Sequence, residues 1–339
     1  MTSPAEETIA ATDHWFFQHG LVYFVPEHRA AVRAGLHPRR VVPLLVVAAL
    51  VAAAIGFAVS AWADELSLLP SVLWTVFGVS ATWYALTALR ARSIVGWAIG
   101  RTFGSLRTLL PMMTRALPLL LVFVTFLFIN AEVWQVSAHL DGGRLWLVAL
   151  LFGTLAGAFL LVRLPEEVDR TDDHVDDELL LKSTADTPLA QAARDLVADP
   201  EARPASYAEI VGYERWNLIL VLVVIQATQV LLLCLTVFAF FLVFGAISMN
   251  EEIVATWTGG PEQVHALGGV AGLTVELLQV SVFLAAFSSL YLTVSTVTDE
   301  TYREQFFSSV LHELERAVGV RAVYLAYRDR LPEGLKSSD

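Results

Sequence analysis

The sequence predicts an all-α fold, a polytopic membrane bundle of six transmembrane helices with amphipathic cytoplasmic end segments. Three observations carry this reading. Hydrophobic residues make up 56% of the 339 residues and charged residues 17%, against about 45–50% and about 25% in soluble domains. Six apolar runs, near 41–62, 69–89, 116–136, 145–163, 217–247 and 267–298, reach the roughly 20 residues that a spanning helix needs. The alternating pattern of a membrane β-barrel is missing, so backbone groups in the hydrocarbon core must pair within helices.

The first forty residues form a polar N-terminal segment that contains the aromatic stretch HWFFQHGLVYFVPEH, 14–28. This stretch is expected to dock on the bundle or at the interface. His14, His19 and His28 lack metal-ligand spacing. The first apolar run is longer than the apolar part of a cleavable signal, so the first helix is expected to act as its own insertion signal.

Orientation follows from Lys and Arg, which are retained on the cytoplasmic side. Taking the spans as drawn, 21 of the 22 basic residues fall on one side, and Arg144 alone falls on the other. Both chain ends are therefore expected in the cytoplasm. Trp62, Trp134, Trp146 and Trp257 at outer helix ends, with Trp97 and Trp216 at inner ends, match interfacial aromatic belts. The loop after the second span holds Arg90, Arg92, Arg101, Arg107 and Arg115 and no acid between 90 and 115. Anionic headgroups attract such juxtamembrane arginines, so Arg90, Arg92, Arg101 and Arg107 are expected to meet lipid. Docking of the acidic loop on them is the competing reading.

That acidic loop follows helices 1–4 (41–163) and spans 164–215. Eight of its acids lie in LPEEVDRTDDHVDDELLL, 164–181. Asp172-Asp173-x-x-Asp176 matches the DDxxD pattern that holds Mg²⁺ against a diphosphate, but the second Asp-rich element of such enzymes is missing. Asp172, Asp173, His174 and Asp176 are weak metal candidates, without the glycine of a calcium loop. The favoured reading is a solvated acidic segment, because dense like charge resists packing. Within the loop, Thr187 before Pro188 is expected to cap a short helix through Val197. Ser206 is expected to open another that runs into the fifth span.

Polar residues inside membrane spans are costly and mark function or helix contacts. Gln226 and Gln229 share one face of the fifth span, with Asn217 at its inner end. Glu276 and Gln279 share the same spacing in the sixth, followed by Ser281, Ser288, Ser289, Thr293 and Ser295. Asn130 and Glu132 sit at the outer end of the third. Glu276, Gln279, Gln226, Gln229 and Asn130 form a candidate polar pathway, and interhelical hydrogen bonding is the alternative. Glu276 lies either near the outer interface or deeper with a partner. Gly153-x-x-x-Gly157 permits close helix approach within one chain or between copies. Asp64, Glu65, Glu132, Asp141, Glu251, Glu252 and Glu262 make the outer side acidic, a composition that concentrates cations and that the positive-inside bias also leaves behind. The lone cysteine, Cys234, lies within the fifth run and excludes an intrachain disulfide.

Helices 5–6 (216–298) lead to a tail, 299–339. TDETYREQFFSSVLHELERAVG, 298–319, reads as an amphipathic helix with Asp299 as cap and Gly319 just past its end. Phe306, Phe307, Val310, Leu311, Leu314 and Val318 form its apolar stripe. The segments HGLVYFVP, ERWNLILVLVVIQATQVLL, FFLVFG and TDETYREQFFSSVLHELERAVGVRAVYL resemble an uncharacterised family of actinobacterial integral membrane proteins. The resemblance covers the N-terminal element and roughly the last 130 residues. It implies a bacterial plasma membrane and no particular activity.

No HExxH, GxSxG, P-loop or dinucleotide fingerprint occurs, and nothing calls for a cofactor. The expected function is a non-enzymatic scaffold or regulator working through its cytoplasmic loop and tail. The alternative is a small-cation channel or transporter with an acidic outer mouth and a polar lining from helices 5 and 6.

Overall fold

The computed structural model describes residues 3–104, 120–141, 143–172, 175–267, 272–298 and 300–331. It is an all-α polytopic bundle. Among the described residues the one strand-like feature is an isolated bridge between Ala266 and Thr274. Five helices are long and apolar enough to cross a membrane: α3 (Pro38–Ala63), α4 (Leu68–Thr87), α8 (Arg144–Asp172), α11 (Gly212–Ser248) and α13 (Val275–Thr298). A further apolar pair, α6 (Leu120–Phe128) and α7 (Ala131–Ala138), meets at 72°, the geometry of a broken span or a re-entrant loop, and makes a sixth crossing if the pair is one span.

This bend corrects the expectation of one straight span over 116–136. Asn130 makes it: its side-chain oxygen accepts from the Glu132 N–H and so caps α7. The Trp134 indole donates to the Phe128 carbonyl at 2.6 Å and satisfies the end of α6. The sixth span also starts later than 267, at Val275. Ahead of it the chain turns back, with Leu267 donating to Leu273 and Val275 to His265. Gly272, at φ +82°, takes a conformation that favours glycine. The fourth helix runs past 163 to Asp172, carrying its polar turns beyond the apolar stretch.

Helices α11, α13 and α8 form the centre, with α5 (Ala91–Gly104) against α11. The α3–α4 hairpin lies at the edge. Helix α3 buries Ala52, Gly56 and Ser60, one residue per turn, against α4. Small residues at that spacing let two helices approach closely where no hydrophobic gain drives association. Elsewhere large apolar side chains point outward, among them Phe57, Trp83, Phe126, Val162, Val243 and Ile247. So many exposed large apolar side chains are foreign to a soluble surface and suit acyl chains. At the far end, α7 packs against α13 and α12 (Glu251–Thr258). There Trp134, Phe128 and Phe241 are almost wholly buried, and the first two meet edge to face at 5.4 Å.

The opposite end holds a second packed region. Its centre is α14 (Glu300–Asp329), which contacts α9 (Asp177–Thr184), α10 (Ala190–Ala198), the lower part of α8, and α1 (Pro4–Gln18). Short 3₁₀ turns at Val22–Phe24 and Pro204–Tyr207 join it to α11. The tail was expected to end its helix at Gly319. It continues to Asp329, because Val318, Val320, Ala322, Val323 and Tyr324 are buried on every side. Gly319 lies where α14 meets α9: a Cβ there would stand 2.6 Å from the Ser183 hydroxyl. Gly319→Val is therefore expected to push α9 off α14, at about 1–3 kcal/mol. Faster hydrogen exchange in 177–184 than in α11 would report it.

Candidate functional site

The acidic segment does not behave as one solvated run. Asp176 caps α9, its carboxylate accepting from the Leu179 N–H at 2.8 Å. Leu180, Leu189, Ala193 and Leu196 turn inward from α9 and α10 into the core of the α14 region. Apolar residues every third or fourth position thus override the repulsion of their charged neighbours. Helix α10 opens after Leu189, where the Thr187 hydroxyl accepts from the Leu189 N–H. Asp172 closes α8, and Asp173 and His174 lie outside the described residues. Among the described residues no group of three His, Cys, Asp or Glu side chains is placed to hold a metal ion.

The centre of this end is an ion cluster at the foot of α11. Glu214, in its first turn, accepts from Arg321 Nε of α14 at 2.6 Å and pairs with Arg29 Nη1 at 3.1 Å. Arg29 belongs to α2 (Pro26–Gly35) and also donates to the Phe24 carbonyl. Arg321 donates further to the carbonyls of Tyr207 and Glu209. Glu214 and Arg321 are 4% and 7% exposed, so each charge rests on its partners instead of water. One carboxylate thereby joins the N-terminal segment, the end of the long loop, the membrane helix and the tail. Asn217, one turn further along α11 and fully buried, accepts from the Tyr23 N–H and donates to the Gly20 carbonyl. The Tyr324 hydroxyl donates to Asp13 of α1 at 2.8 Å; burial, with the Asp13 charge next to it, holds that phenol well above its usual pKa.

Beside this cluster, His19 stacks on Trp15 with ring centres 4.0 Å apart, and its Nδ1 contacts the Trp15 carbonyl. Arg316 lies over the Trp15 ring, and Arg101 pairs with Glu313 at 2.5 Å. Burial holds His19 below its ordinary pKa; the Trp15 carbonyl and Glu313 oppose this, and Arg316 and Arg101 add to it. A histidine held neutral by folding binds fewer protons in the folded chain than in the unfolded one. Its contribution is therefore present above the unfolded value of about 6.5 and is lost as pH falls below it. The thermal unfolding temperature of this end should drop as pH falls below about 6.5, and His19→Gln should flatten that part of the profile.

The candidate polar pathway is divided. Glu276 sits in the first turn of α13, 3% exposed. It accepts from the His265 backbone N–H and contacts His265 Nδ1 at 2.9 Å. It stands at the start of α13, where the chain turns back, and it is buried and partnered. Gln279 follows one turn later. Asn130 is spent on the α6–α7 bend. Gln226 and Gln229 lie on α11 toward the other end, 1% and 4% exposed. Between the two pairs stand Leu233, Val237 and Phe241, all buried, with Phe128 stacked on Phe241 at 4.8 Å. Among the described residues, Gln226 Nε2, Gln229 Oε1 and Ser281 Oγ have no hydrogen-bond partner. Among the described residues, nothing stands within 4 Å of where a side chain at Gly153 or Gly157 would begin. Of the acids expected on the outer side, Glu251 and Glu252 occupy the first turn of α12, where helix N-termini favour them, beside an open cleft of about 740 Å³.

Of the arginines expected at lipid, Arg92 is exposed and Arg90 donates to His28, while Arg101 is taken by Glu313 of the tail. Arg107 lies outside the described residues. Sequence reasoning passed over Glu214, Arg29 and Arg321. A signal existed: Arg321 is a lone cation inside the apolar run Val318–Tyr327, a position that a buried carboxylate must answer. Comparison with protein-family models, curated proteins and solved structures returns no match to this chain, so the function is read from this geometry alone.

Proposed function

We propose that this multi-pass membrane protein is a non-enzymatic scaffold or regulator of the bacterial plasma membrane. In this reading its N-terminal segment, long loop and tail form one cytoplasmic module. The observation that carries it is the Glu214–Arg321–Arg29 cluster, which fastens these three separate segments to the foot of a membrane helix. The distribution of Lys and Arg supports the cytoplasmic assignment of this end. The working surface is the outer side of α9 and α10, where Asp177, Glu178, Asp186 and Asp195 are exposed and none is paired with Lys or Arg among the described residues. Such a surface suits a basic protein partner and a salt-sensitive encounter.

Deleting the loop is a poor test, because its buried leucines belong to the module core. Neutralising Asp177, Glu178, Asp186 and Asp195 to Asn or Gln keeps the fold and removes the charge. The variant is expected to lose partners that wild type captures at low salt and releases at high salt. Undiminished capture by the variant would count against the proposal. The second reading, a small-cation pathway, rests on Gln226 Nε2 and Gln229 Oε1, buried and without a hydrogen-bond partner among the described residues. It would need a polar connection past Phe128 and Phe241.

A further inference from the structure

We propose that the crevice between α2, the end of α4 and the foot of α11 is a binding site for one anionic phospholipid. The crevice has a volume of about 570 Å³ and is walled by Tyr23, Leu36, Leu89, Tyr213, Trp216 and Leu220. Two hydrogen bonds fix its shape. The Tyr23 hydroxyl donates to the Leu89 carbonyl at 2.7 Å, and the Tyr84 hydroxyl donates to the Gly35 carbonyl at 2.6 Å. The space is therefore built into the fold and is not a loose gap between helices.

Its position selects the occupant. Helix α3 begins at Pro38 and α4 ends at Thr87, so Leu36 and Leu89 stand where the spans leave the hydrocarbon. Leu220 lies deeper, about 12 Å along α11 from its start at Gly212. Trp216 and Leu36 are largely exposed at the open side, a place where tryptophan and tyrosine favour the boundary of a bilayer. The walls thus offer an apolar slot of acyl-chain depth, open sideways to the membrane.

The rim supplies the opposite chemistry. Arg33 stands over the Tyr213 ring at 5.8 Å. Arg90 follows Leu89 directly and donates to His28 at 2.6 Å. Arg39 and Arg40 are exposed in the first turn of α3, just beyond Leu36. None of these four arginines is paired with a carboxylate among the described residues, whereas Arg29 and Arg101 nearby both are. An apolar slot ending in unneutralised guanidinium groups matches a molecule with an acyl chain and a negatively charged headgroup. A zwitterionic lipid answers only the slot, and a free anion answers only the rim.

The test is fluorescence quenching in vesicles that contain brominated-chain phosphatidylglycerol or brominated-chain phosphatidylcholine at equal mole fraction. The signal of interest is the quenching that Trp216→Phe removes. The site predicts that the anionic lipid quenches this component about fivefold more effectively than its mole fraction gives, the preference of one basic residue at a membrane surface. Arg33→Gln with Arg90→Gln should bring the two lipids to equality. Both residues are on the surface, and circular dichroism of the double variant should match wild type. Equal quenching by the two lipids in wild type would overturn the proposal. So would an anionic preference that the double variant retains.

Discussion

Replacing Glu214 with alanine is expected to release α14 and the N-terminal segment from the bundle, at a cost of about 3–5 kcal/mol. The size comes from what is left behind. Arg321 would keep the Tyr207 and Glu209 carbonyls but lose its charged partner, in a place that water hardly reaches. Arg29 would lose the same carboxylate. Trypsin, which cannot reach Arg321 in the packed end, should then cleave there, while α8, α11 and α13 keep their helical signal in detergent. Arg101→Ala is the internal comparison. Its pair with Glu313 is half open to solvent, and exposed ion pairs contribute about 0–1 kcal/mol. It should leave the cleavage pattern nearly unchanged.

Asn217→Leu is expected to free the N-terminal segment by a different route. The substitution keeps the side-chain volume close but leaves the Tyr23 N–H and the Gly20 carbonyl buried without partners. Each such orphan costs about 1–3 kcal/mol. Amide exchange should accelerate over 20–25 and less over 311–331, the reverse of the order expected for Glu214→Ala. Asn217→Asp should fall between, since an aspartate still accepts from Tyr23 but cannot donate to Gly20.

The membrane part of the fold was legible because apolar run length is a strong signal: four of the six expected runs correspond closely to α3, α4, α8 and α11. The departures have local causes. Asn130 reads equally well inside a helix or as its cap, and the tertiary bond from Trp134 to Phe128 decides for the cap. Gly272, ahead of Val275, sits in a stretch with the composition of a span, yet at φ +82° it turns the chain. Gly319 looked like a helix stop, but there the missing side chain serves the contact with Ser183.

The site was less legible, for a related reason. Glu276, Gln226 and Gln229 stood out as polar residues in greasy surroundings, and all three are buried. Which of them share a site depends on helix register, and the register puts Phe128 and Phe241 between the two pairs. The acidic segment misled through its charge count, because Leu180, Leu189 and Leu196 set its packing. The Glu214–Arg321 pair spans 107 positions in the chain, beyond the reach of any local pattern.

The most direct test is cation flux through the purified protein in liposomes, wild type beside Gln229→Leu, under both potassium and sodium gradients. A scaffold built on a closed bundle predicts that wild type passes no more cation than protein-free liposomes. Flux above that level, changed by Gln229→Leu, would contradict the account and make the two buried glutamines the lining of a pathway.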